Sequence, residues 1–83
     1  MNAVIFTRGN NEEMQAAACR EYAEANGYTV IAETNKMREA FLKIDNYEAL
    51  IIYDKTRLSR KAANYDNLVE AFNEIDIKVI TVK

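Results

Sequence analysis

Arg57-Leu58-Ser59-Arg60 places two guanidinium groups three residues apart, in the turn that follows the apolar run Ile51-Ile52-Tyr53. A guanidinium fork matches phosphate or carboxylate geometry bidentately, so arginines where a core strand ends point to an anion. Arg8 closes a second apolar run, Ala3-Val4-Ile5-Phe6. The bland alternative is that Arg8, Arg57 and Arg60 pair with carboxylates such as Asp54, Glu33 or Asp66. Ser59 is a hydroxyl between the two arginines, yet no base stands beside it, and serine also suits the start of the helix that follows. Cys19 lies among alanines in a helical stretch and reads as a small packing residue. The chain contains no histidine, which removes imidazole acid–base catalysis and most zinc sites. Glu12, Glu13, Glu21, Glu24 and Glu33 show no metal-ligand spacing, so neither a metal nor a cofactor is expected. Tyr22, Tyr47, Tyr53 and Tyr65 do not interleave with basic residues as a base-stacking platform would, and read as rim-of-core tyrosines.

The elements that must carry these arginines follow from periodicity. Residues 2–7 read as a strand. Residues 11–26 read as a helix with Met14, Ala18, Tyr22 and Ala25 on its apolar face, stopped by Asn26-Gly27. Asn10-x-x-Glu13 has the form of a capping box at its start. A strand over 28–33 precedes a short helix over 36–44, with Met37, Phe41 and Ile44 inward. Residues 48–54 form the most continuous apolar run. Residues 61–74 make an amphipathic helix with Tyr65, Leu68, Val69 and Phe72 at i, i+3, i+4 and i+7. Residues 77–82 close the chain as a strand. Strand and helix alternating in this way predict right-handed βαβ units and a parallel sheet covered on both faces. Ligands of such sheets bind at the carboxyl ends of the strands, where Arg8, Arg57 and Arg60 all emerge.

Composition sets the outer bounds. Eighty-three residues, 49% hydrophobic and 29% charged, suit one globular domain spanning 1–83. One cysteine permits no internal disulfide and fits a reducing cytoplasm. No apolar run approaches the roughly 20 residues that span a bilayer, and no signal peptide is visible, so no membrane partner is expected. A net charge of -2 argues against strong unaided DNA binding, which needs a basic face to release counterions. It leaves room for a local basic edge of Arg8, Arg38, Arg57, Arg60 and Lys61.

Several segments together resemble the serine recombinases of the resolvase/invertase family. Val4-Ile5-Phe6-Thr7-Arg8, followed by a polar turn and Gln15, is similar to that family's opening strand and its Tyr-Ala-Arg-Val-Ser-Thr. Arg20 to Tyr28 resembles the first helix and second strand of the larger members, and Tyr53 to Arg60 resembles the Asp-Arg-Leu-Ser-Arg signature. The resemblance implies a serine that attacks a DNA phosphodiester and arginines that hold the non-bridging oxygens. Arg8, Arg57 and Arg60 match three of those arginines, and Arg38 is aligned loosely with a fourth. The nucleophile position is Asn10, and the family's aspartate before the first signature arginine is Thr56. An amide cannot make this displacement, and losing the nucleophile of a tightly coupled site costs on the order of 10⁶ in rate. The stretch Thr34-Asn35-Lys36 is short for the family, and no long dimerising helix or helix-turn-helix domain is seen after the last strand.

The expectation is therefore a three-layer, resolvase-like α/β domain with a four-stranded, mainly parallel sheet in order 2-1-3-4. Its expected role is that of an inactive recombinase-like domain of mobile-element type. It would act by contacting DNA phosphates, weakly when alone, or by pairing with a full-length recombinase or a second copy through helix 61–74. The phosphate contacts would be Arg8, Arg57, Arg60 and Arg38, with Asn10 and Thr56 as altered catalytic positions. The competing classes are an active or split site-specific recombinase and a flavodoxin-like adaptor without an anion.

Overall fold

The computed structural model describes residues 1–83. The chain runs β1 (Asn2–Phe6), α1 (Glu12–Ala25), β2 (Thr29–Thr34), α2 (Met37–Leu42), a 3-10 turn (Ile44–Asn46), β3 (Ala49–Ile52), α3 (Lys55–Leu58), α4 (Ala62–Glu74) and β4 (Lys78–Thr81). The strands form one sheet in the order β2-β1-β3-β4, as expected, and every neighbouring pair is parallel. Phe6 at the end of β1 lies opposite Thr34 on one side and Ile52 on the other. The strand ends thus form one common edge from which the loops leave.

β1 and β3 are central because both their faces are covered. Their side chains alternate between two cores, as the period of a strand requires. Val4, Phe6, Leu50 and Ile52 meet Ala40, Tyr47, Leu58, Phe72 and Ile77 on one face. Ala3, Ile5, Ala49 and Ile51 meet Cys19, Ala23 and Ile80 on the other. α1 thus covers one face while α2 and α4 cover the opposite one, giving three layers. The stripe Tyr65, Leu68, Val69 and Phe72 packs on the sheet from α4. No helix is long and apolar enough to cross a membrane.

Two inward faces differ from expectation. α1 buries Gln15, Ala16, Cys19 and Ala23, whereas Met14 is 43% exposed. The face is rotated by one residue because the helix lies close on the sheet through small side chains, and because a polar residue, Gln15, is buried there. In α2, Met37 packs against the core, while Phe41 remains 38% exposed and stacks on Phe72 at 4.9 Å. The buried position of that helix is Ala40, whose carbonyl accepts a 2.9 Å hydrogen bond from the Tyr47 hydroxyl. Burial pushes the Tyr47 phenol up to about 12. The Asn26-Gly27 stop forms as read. Gly27 takes φ +77 and Tyr28 N donates to Ala23 O at 2.9 Å, closing the helix end.

Candidate functional site

The loop after β1 is set by a buried amide. Gln15 has no exposed surface, and its carboxamide reads the backbone of the loop in front of it. Oε1 accepts from Arg8 N at 3.1 Å, and Nε2 donates to Arg8 O at 3.0 Å and to Asn10 O at 2.7 Å. A buried carboxamide must find such partners, and here it finds them in the loop. The chain reaches α1 through Asn11 in the left-handed conformation, φ 59, and no side chain caps the helix. The expected Asn10–Glu13 capping box therefore does not form, because Gln15 draws the Asn10 carbonyl inward and shifts the helix start. Glu12 instead accepts from Asn35 Nδ2 at 3.1 Å and from Thr7 Oγ1 at 3.4 Å.

The loop after β3 is organised by Asp54. It caps the single turn of α3, accepting from Thr56 N at 3.0 Å and Thr56 Oγ1 at 2.5 Å. Those bonds, with help from Arg57, hold the Asp54 carboxyl below its ordinary range. Arg57 Nε lies 3.5 Å from Asp54 Oδ1, an ion-pair separation without hydrogen-bond alignment. Arg57 Nη1 donates to Arg8 O at 3.3 Å, which ties the two loops together. The guanidinium also lies 5.9 Å from the centre of the Tyr53 ring, which Lys83 Nζ approaches at 5.7 Å. Gly9, at φ +83, leaves room for this contact: a Cβ there would stand 3.2 Å from Arg57 Nη1.

Between the two loops and α4 lies a groove of about 890 Å³. Arg8, Arg57 and Arg60 all line it, so the topology brings the three predicted arginines together. Lys61 adds a fourth cation, and Asn64 and Asn67 line the groove from α4. No lining residue is acidic. Ser59 lines it too, but its hydroxyl accepts from Lys61 N at 3.2 Å and donates to Lys61 O at 3.3 Å, making the turn into α4. Thr56 also lines the groove. Asn10 is exposed beside the groove rather than in its lining. Arg38 is exposed on α2 and does not line the groove. Gln15 and Asp54 were not singled out as site residues. Gln15 could have been noticed as a polar residue inside a stripe of alanines, and Asn64 and Asn67 as a continuation of Lys61 at i+3 spacing.

A second cleft, of about 430 Å³, opens on the other side of β1, between the ends of β1 and β2. It is lined by Glu12, Glu13, Glu33 and Glu39 with Arg20 and Lys36. Arg20 clasps Glu33 bidentately, Nη2 to Oε1 at 2.7 Å and Nε to Oε2, and Thr34 Oγ1 donates to Glu39. The Arg20 bond lowers the Glu33 carboxyl from its usual range.

Comparison with known proteins agrees with this geometry. Residues 7–83 match the family described as Resolvase, N terminal domain. Among solved structures, the N-terminal catalytic domain of TP901-1 integrase is similar, with a TM-score of 0.87 at 23% identity over 99% of this chain and 77% of that one. A resolvase family site-specific recombinase from Streptococcus pneumoniae superposes with a TM-score of 0.86 at 16% identity, over 99% of this chain and 72% of the other. At these identities the likeness is one of fold. No curated protein sequence matches the chain.

Proposed function

Because the chain belongs to the resolvase family through its N-terminal domain, we propose that it is a recombinase-type domain that holds a nucleic-acid phosphate without cleaving it. The observation that carries this reading is the groove in which Arg8, Arg57, Arg60 and Lys61 converge with no carboxylate among them. Four cations in one groove of a chain of net charge -2 repel one another unless an anion sits between them. Each well-placed charge-assisted bond contributes about 1.5–3 kcal/mol, enough for binding at low salt.

The absence of cleavage rests on Asn10. An amide stands where the family's attacking serine would stand, and the hydroxyl between the two signature arginines, Ser59, is occupied in a turn. The groove lining offers Ser59 neither a carboxylate nor an imidazole as general base. The domain would therefore occupy a phosphodiester backbone, in a recombination setting, as a binder.

The test uses the full chain with a fluorescein-labelled duplex and a supercoiled plasmid. The expected result is weak binding that falls steeply with salt, an intact plasmid, and no protein–DNA adduct on a denaturing gel. A covalent adduct formed by the wild-type chain would overturn the inactive reading. Failure to bind the duplex at low salt would overturn the binding one.

A further inference from the structure

We infer that Asp54 is a positioning residue for the Arg57 guanidinium, replacing from two residues upstream the carboxylate that the family pattern carries at position 56. The inference rests on the phosphate-groove reading given above and names the residue that prepares the groove. Position 56 is a threonine, and its hydroxyl and backbone N–H both donate to one oxygen of Asp54. Thr56 thus turns a neighbouring carboxylate into place instead of supplying one. The same oxygen lies 3.5 Å from Arg57 Nε. Arg57 is then met on three sides: by the Asp54 carboxylate 3.5 Å from Nε, by the Arg8 carbonyl that Nη1 bonds, and by the Tyr53 ring, 5.9 Å from its centre. What remains of the fork borders the groove.

Two effects of Asp54 on an anion oppose each other. Its charge repels the anion, while its hold on Arg57 removes the ordering cost that a free arginine meets on binding. If repulsion dominated, neutralising Asp54 would tighten binding. If positioning dominates, the same change weakens it. The sign of the effect therefore identifies the role.

Asp54→Asn and Asp54→Ser both keep a side chain that can cap α3 and both remove the charge, moving the net charge from -2 to -1. Thermal melts establish that each variant is folded. Two readouts follow: affinity for the labelled duplex at low salt, and the Arg57 Nε–Hε signal of the free, isotope-labelled chain. Both variants are expected to bind about tenfold more weakly despite the gain in positive charge. In both, the Arg57 Nε–Hε signal is expected to broaden and move toward the position of an unconstrained arginine, because the charge 3.5 Å from Nε no longer fixes the guanidinium. Tighter or unchanged duplex binding in both variants, or an Arg57 signal that does not move, overturns the inference. The signal is read without any anion, so a wild-type chain that fails to bind duplex sinks the groove reading and leaves the Asp54 claim to be judged alone.

Discussion

Two clefts flank the end of β1, and they use charge in opposite ways. The cleft toward β2 has four glutamates with Arg20 and Lys36, and its chief cation is spent internally on Glu33. The groove toward β3 has four cations, and only Arg57 has a carboxylate near it, from outside the lining. Both sit at the carboxyl edge of the same parallel sheet, so topology alone does not distinguish them. The difference is the sign of the charge left over: the Arg20–Glu33 pair leaves the first cleft with an excess of carboxylates, whereas the groove is left with cations.

The largest test of that contrast removes cations from each cleft in turn. An Arg8→Ala, Arg57→Ala double variant removes two groove cations and is expected to lose about 10²-fold or more in duplex affinity, from roughly 1.5–3 kcal/mol per charge-assisted bond. An Arg20→Ala, Lys36→Ala double variant removes the same formal charge from the other cleft and is expected to stay within about twofold of wild type. Fluorescence anisotropy at low salt measures both. Equal losses would mean that the chain binds through net charge rather than through a site.

The wall between the clefts gives the next effect. Gln15 holds the loop that presents Arg8 and Gly9 to the groove, and it does so from a fully buried position. Gln15→Leu keeps the volume but strands Arg8 N and leaves the Arg8 and Asn10 carbonyls short of donors. The expected cost is about 2–4 kcal/mol of folding stability, read from urea unfolding. Duplex affinity should fall as well, because Arg8 loses its anchor. Full stability in this variant would show that the loop is held by something other than the carboxamide.

The fold was readable because its signals are local and repeated. Continuous apolar runs marked β1 and β3 as central, and helical spacing placed Tyr65 to Phe72 of α4 on the sheet. The convergence of Arg8, Arg57 and Arg60 followed from topology. What escaped reading was set by tertiary neighbours. Asn10 and Glu13 had the spacing of a capping box, but Gln15 claimed the loop backbone first. Arg38 looked like a fourth phosphate contact, yet α2 carries it away from the groove. Glu33 and Asp54 were both candidate partners for the groove arginines. Only the folded chain gives Glu33 to Arg20, thirteen residues away, and Asp54 to Arg57.

The smallest expected effect concerns that Arg20–Glu33 pair and separates its role in folding from any role in binding. Glu33 has a folded pKa below its ordinary 4.5, chiefly through the hydrogen bond from Arg20. A carboxyl depressed on folding contributes stability that is fully present above pH 4.5 and fades as pH falls through the folded value. Glu33→Gln should therefore melt slightly below wild type at pH 7, by no more than a few degrees because both partners face solvent. The two melting curves should converge as the pH drops well below 4.5. Duplex affinity at pH 7 should not change, since Arg20 does not border the groove. An affinity that rose in Glu33→Gln would mean that the freed Arg20 reaches the same anion, and the two clefts would then have to be treated as one continuous surface around the end of β1.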